Sequence, residues 1–138
     1  MTGMTTPAAL PADIEAIIFD CDGTLADTFG AHFRAFRDIL ADYQVVFEAE
    51  FYHARLGLSR YQLLEELKQA QGKPFDEQAV AEHNTAAFLT HLPAIRPIPY
   101  TQDILRSHYG RLKLGVASGG QRPIVEATLK TIGVRDML

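Results

Sequence analysis

Two carboxylates stand two residues apart in Asp20-Cys21-Asp22-Gly23-Thr24-Leu25-Ala26-Asp27, directly after the apolar run Ala16-Ile17-Ile18-Phe19. At that spacing one carboxylate can attack while its neighbour gives and takes a proton. Gly23 lets the backbone turn sharply just beyond and exposes amide groups. A hard divalent cation such as Mg2+ suits these oxygen donors, because it keeps both aspartates ionised and neutralises phosphate charge. Asp20 is then the candidate nucleophile on phosphorus, Asp22 the candidate acid and base, and both are candidate metal ligands. For an isolated Asp-x-Asp the plain alternative is an acidic turn after a strand.

The elements around this stretch must hold it at the end of a sheet. Ala16 to Phe19 reads as a strand buried on both faces, as in a parallel sheet. Leu112 to Ala117 reads as a second strand, ending in Ser118-Gly119-Gly120. Each strand runs into a polar turn that leads towards a helix, and open parallel sheets bind ligands at those carboxyl ends. Helices are predicted from about Thr28 to Tyr43, from Thr101 to Tyr109 and from Arg122 to Ile132, the last stopped by Gly133. Between the strands, Ser59-x-x-Gln62 spells a capping box before Leu63, Leu64 and Leu67, with Gly72 as the stop. Asp76 caps a further helix to about His91. Three prolines from Pro93 to Pro99 return the chain to the sheet and pair with the loop after Asp27 as a two-stranded hinge.

The fold class that follows is α/β: a partial doubly wound, Rossmann-like parallel-sheet core with an inserted helical cap. The expected division is a disordered arm at 1–13, an incomplete core at 14–27 and 96–138, and a cap at 28–95. Of 138 residues, 47% are hydrophobic and 22% charged, with a net charge of −4. That balance offers no basic field for nucleic acid and no basic amphipathic stretch for a membrane surface. The opening residues lack a charged leader before an apolar block, so a cytoplasmic protein is expected. One cysteine, Cys21, excludes an intrachain disulfide and a cysteine-based zinc site.

The string Asp20-Cys21-Asp22-Gly23-Thr24-Leu25-Ala26-Asp27 resembles the signature of the haloacid dehalogenase-like hydrolase superfamily. Val116-Ala117-Ser118-Gly119-Gly120 is similar to that family's second motif. The resemblance implies that Ser118, through its hydroxyl, and the amides of Gly119 and Gly120 hold a phosphoryl group. The stretch from Asp27 to Phe36 is similar to the β-phosphoglucomutase-like branch, which implies that His32 affects the placement of the acid–base aspartate. The alternative is a histidine merely packed on its helix. Gly57-Leu58-Ser59-Arg60 resembles that branch's cap loop and implies that Arg60 meets an anionic part of the substrate; the alternative is a solvated residue in the first turn of a helix. Arg55, His53, His83, His91 and His108 carry no such support and are expected to be surface or half-buried.

The resemblance further implies a Mg2+-dependent phosphomonoester hydrolase that acts on a small phosphorylated metabolite, such as a sugar phosphate, through an aspartyl-phosphate. Mutases of the branch carry a lysine early in the second motif where Gln121-Arg122 stand here, which favours the phosphatase over a phosphohexomutase. The chain stops before the lysine and acidic pair that family members place after the second motif, so it is expected to be C-terminally truncated. Weak magnesium binding and poor activity follow from that expectation. So does a reading of another class, a non-catalytic interaction module that self-associates through an uncovered sheet edge.

Overall fold

The computed structural model describes residues 9–138. In chain order its elements are β1 (Ala16–Phe19), β2 (Ala26–Asp27), α1 (Phe29–Ala41), α2 (Ala49–His53), α3 (Arg60–Gln71), α4 (Glu77–Leu89), β3 (Arg96–Pro97), α5 (Pro99–His108), β4 (Lys113–Val116) and α6 (Arg122–Thr131). Single 3-10 turns follow α4 and α6, at Leu92–Ala94 and Arg135–Met137. Most of the arm expected at 1–13 lies outside the described residues.

β1 and β4 pair in parallel, with Ala16 opposite Lys113 and Phe19 opposite Val116. The amide of Ala117 continues the ladder to the Phe19 carbonyl at 2.9 Å. This register brings the turn after Phe19 and the turn after Val116 to the same end of the sheet. β2 and β3 form the expected two-stranded hinge, antiparallel, with Asp27 opposite Arg96. The chain therefore leaves the sheet and returns to it across one short ribbon.

The helices of the insert begin and end where local chemistry requires. Ser59 accepts from the amide of Gln62, and the Gln62 side chain accepts from the Ser59 amide, closing the capping box that opens α3. Gly72 ends α3 at φ 63°, a left-handed conformation that favours glycine. Asp76 caps α4 by accepting from the Ala79 amide at 3.0 Å.

Two apolar clusters hold the chain. One gathers Phe19, Leu25, Leu105, Ile124 and Leu129 around the sheet; the other gathers Leu40, Phe47, Leu63, Leu64 and Leu67 in the insert. α1 and α4 belong to both. Ala31, Ala35 and Phe88 pack towards the sheet, while Phe36, Val80 and Ala81 pack into the insert. Each fully buried Leu or Phe side chain contributes about 1.5–3 kcal/mol of transfer free energy, so this shared packing ties the insert to the sheet.

Two sequence expectations are corrected. β1 is not buried on both faces: Ile18 is 72% exposed, because the sheet has two strands and its helices cover one face. The helix α2 was not foreseen, since five residues are too few to show a helical period.

Candidate active site

The turn after β1 is built by converging backbone bonds. The Cys21 carbonyl accepts from the amides of Thr24, Leu25 and Ala26, and the Gly23 amide donates to the Ala26 carbonyl at 2.9 Å. Gly23 sits at φ 72° and takes the sharp corner. Cys21 itself is fully buried, and burial pushes its thiol up to about 12, with the flanking Asp22 and Asp20 carboxylates adding to the rise. It is a packing residue rather than a nucleophile.

The side chains on either side of Cys21 face different environments. Asp20 is exposed, with the Thr24 hydroxyl 3.5 Å from its carboxylate, at the outer limit of a hydrogen bond. Asp22 is partly buried: its Oδ1 accepts from Thr28 Oγ1 at 2.6 Å and lies 3.0 Å from His32 Nε2. Burial is the largest single influence on the Asp22 carboxyl and pushes its pKa up. The hydrogen bonds from His32 and Thr28, with the attraction of His32, together outweigh burial and hold it below the ordinary carboxylate range.

The second motif meets the first at this point. Gly120 donates its amide to Ser118 Oγ at 3.0 Å, which leaves the hydroxyl proton free to face an anion. A Cβ placed on Gly120 would lie 3.3 Å from Ser118 Oγ and 3.6 Å from Asp22 Oδ2. The parallel pairing thus brings Asp22, Ser118 and Gly120 together. Gly119 is exposed, with nothing within 4 Å of the position a Cβ would take.

His32 lies against Asp22 with its ring 4.5 Å from that of Phe88 on α4. Arg60 makes its contacts in the insert. Its Nη1 donates to the Ala81 carbonyl at 2.7 Å and its Nη2 to the Tyr61 hydroxyl at 3.4 Å, while Nε is buried without a partner among the described residues. No hydrogen bond or ion pair links it to Asp20 or Asp22 among those residues. His91, expected to be at the surface or half-buried, is half-buried just after α4 and pairs with Asp38 of α1 at 2.9 Å. His53 lies edge-on to Phe29 at 5.7 Å.

Two residues escaped the sequence reading. Thr28 is fully buried, and only the fold shows that its hydroxyl reaches back six residues to Asp22. Tyr52, on α2, stacks on Phe29 at 5.2 Å. Its signal in the sequence was absent, because α2 has no period to read.

Among the described residues no group of three or more His, Cys, Asp or Glu side chains is placed to hold a metal. The donors that do fit Mg2+ are hard oxygens: the Asp20 carboxylate and the Asp22 carbonyl, which accepts no backbone hydrogen bond in the turn. That set suits an ion that keeps several waters and takes one or two carboxylates from the protein.

An aspartate pair after one parallel strand lies beside a Ser-Gly-Gly turn after its neighbour, at the carboxyl end of an α/β sheet. The chain belongs to the haloacid dehalogenase-like hydrolase family, whose sequence model matches residues 17–138. It is 29% identical over 120 residues to the fructose-1-phosphate phosphatase YqaB of Escherichia coli K12, a match spanning 86% of this chain and 63% of that protein. It is similar in structure to CbbY of Rhodobacter sphaeroides in complex with phosphate, with a TM-score of 0.75 and 27% identity, covering 86% of this chain and 57% of that one. A variant of CbbY in complex with xylulose 1,5-bisphosphate matches with a TM-score of 0.74 and 25% identity, covering 86% and 57%. The chain therefore spans roughly three-fifths of the length of these relatives. No helix among the described residues is long and apolar enough to cross a membrane.

Proposed function

We propose that the chain carries the nucleophile-bearing part of a phosphomonoester hydrolase that acts on a small sugar phosphate. The observation that carries this reading is the meeting of the two motifs, with Asp22 Oδ2 within 3.6 Å of the Gly120 Cβ position and Ser118 Oγ beside it. The family and the two relatives seen with phosphorylated ligands or named for a sugar phosphate support the substrate class.

The chemistry runs in two steps. Asp20, exposed at the cleft, attacks phosphorus; the ester P–O bond breaks and Asp22 gives its proton to the leaving alcohol oxygen. Water then attacks the phosphorus of the aspartyl-phosphate; Asp22 takes a proton from it, and phosphate leaves with Asp20 regenerated. The Ser118 hydroxyl and the amides of Gly119 and Gly120 orient the phosphoryl oxygens throughout. Mg2+, held by Asp20 and the Asp22 carbonyl, supplies charge neutralisation when bound.

Asp22 must be protonated to act as an acid, and at rest His32 and Thr28 keep it ionised. Turning the carboxyl from these two donors towards the leaving oxygen removes both stabilising bonds and leaves burial unopposed. Its pKa then rises, which favours the protonated form that donates to the leaving oxygen. His32 and Thr28 are positioning residues in this reading. Arg60 is the candidate contact for an anionic part of the substrate, which requires its guanidinium to leave the Ala81 carbonyl.

The test is phosphate release from a panel of small phosphomonoesters, with and without magnesium, for the chain and its Asp20→Asn variant. Release that needs magnesium and falls to background in the variant supports the reading. Release that is equal in the two chains overturns Asp20 as nucleophile. A product that is an isomeric sugar phosphate rather than free phosphate replaces the hydrolase with a mutase.

A further inference from the structure

The turn after β4 opens onto a cavity of about 290 Å³, close in size to the smallest small-ligand clefts, which span roughly 300–1,000 Å³. Ser118 and Gly120 line it together with Arg122, Val125, Glu126 and Arg135. Gly120 and Arg122 are two residues apart, a span of at most about 7 Å. A Cβ on Gly120 would lie 3.1 Å from Val125 Cγ2 and 3.6 Å from Asp22 Oδ2. The first turn of α6, which Arg122 opens, therefore packs on the Ser-Gly-Gly turn at the point where that turn meets Asp22.

The two guanidiniums in this wall are held differently. Arg135 bonds Glu126 through Nε, and that bond does most to hold the Glu126 carboxyl below the ordinary carboxylate range, with the charges of Arg122 and Lys130 adding smaller pulls. Arg122 reaches the same carboxylate only at 3.6 Å, beyond hydrogen-bonding distance, and its side chain is 87% exposed. An exposed pair of that kind restrains a side chain weakly. Arg122 is thus a loosely tethered cation on the wall that carries the Ser-Gly-Gly turn. Asp20 and Asp22 bring two carboxylates to this end of the sheet, and a cation offsets their repulsion of an incoming phosphate. A planar guanidinium can also bind two phosphate oxygens at once.

We propose that Arg122 is a phosphate-binding residue: its guanidinium leaves Glu126, which Arg135 retains, and closes over the phosphoryl group held by Ser118, Gly119 and Gly120. This rests on the phosphatase reading, which puts the phosphoryl group on that turn. Arg122 meets every phosphomonoester alike, so it adds affinity without choosing the organic part.

The test is a calorimetric titration with inorganic phosphate, magnesium present. Arg122→Gln keeps a polar side chain at an exposed position, so the fold is preserved. Loss of a charge-assisted contact, discounted for exposure, weakens phosphate binding about 5- to 20-fold. Glu126→Gln frees Arg122 and tightens binding about 2- to 5-fold, a gain that disappears when Arg122→Gln is added. Lys113→Gln removes the same charge at the amino end of β4 and leaves affinity within about 2-fold. Equal weakening by Lys113→Gln and Arg122→Gln marks a general field and overturns the assignment. So does unchanged affinity in Arg122→Gln, or a gain from Glu126→Gln that survives without Arg122 and hands the role to Arg135. Ser118→Ala separates this from the phosphatase reading: if it weakens binding while Arg122→Gln does not, that reading stands without Arg122. Failure of phosphate to bind the unaltered chain removes both.

Discussion

Replacing Thr28 with valine isolates the hydrogen bond that holds Asp22. The hydroxyl donates to Asp22 Oδ1 at 2.6 Å from a position that is 1% exposed, so valine replaces it with a methyl group of the same size in a closed space. Thr28 is the N-cap of α1, where loss of a capping hydroxyl ordinarily costs about 1 kcal/mol. Here the side chain makes no capping bond, so that cost does not enter. A hydrogen bond to a charged acceptor is worth about 1.5–3 kcal/mol. The Asp22 side chain is 37% exposed, and water takes up part of what is lost. Discounted for that screening, the expected destabilisation at pH 7 is about 1–2 kcal/mol, or roughly 3–6 °C in Tm for a chain of this size.

The pH dependence gives this prediction its sign. Asp22 has a folded pKa below its ordinary value of 3.8, so its stabilisation is present above that value and is lost as pH falls through the folded pKa. The two chains should therefore differ at pH 7 and converge as the pH falls below 3.8 and through the folded pKa of Asp22. Denaturant titrations at several pH values measure the difference directly. A gap of the same size at both ends of the range would mean that Thr28 acts through packing alone, and no gap at pH 7 would mean that the hydrogen bond carries nothing.

Two further outcomes follow from the turns at the sheet end. Cys21 should resist thiol reagents in the folded chain and react once unfolded, because it is fully buried with its thiol raised to about 12; rapid labelling of native protein would contradict that environment. Gly120→Ala should weaken phosphate binding about 10-fold or more while leaving the fold intact. Its Cβ would come within 3.1 Å of Val125 and 3.3 Å of Ser118 Oγ, forcing the cradle open by a few tenths of an ångström. Titration with inorganic phosphate reads the loss, and unaltered affinity would remove the loop from the phosphate site.

What the sequence made legible is what short-range chemistry determines. The capping box at Ser59, the stop at Gly72 and the cap at Asp76 are interactions within four residues, and each stands where the spacing put it. The strand pairing followed from two apolar runs ending in polar turns, and the hinge from prolines opposite the Asp27 loop. Burial was less legible. Ala16-Ile17-Ile18-Phe19 has the composition of a central strand, but exposure depends on which neighbours cover each face, and composition does not encode that.

The candidate site divides in the same way. Asp20, Asp22, Ser118, Gly119 and Gly120 are visible because each sits in a short motif at a strand end. The groups that set the protonation of Asp22 are separated from it along the chain: Thr28 by six residues and His32 by ten. Motifs name the candidate reacting atoms, whereas their surroundings are set by side chains that only the fold gathers. For Asp22 those surroundings are a balance of opposed effects, burial pushing its pKa up and two donors bringing it down. Such a balance is easily tipped, which is what the acid–base role proposed for Asp22 requires. A carboxyl governed by burial alone would hold its proton too tightly to serve as base, and one governed by hydrogen bonds alone would not take it up as acid.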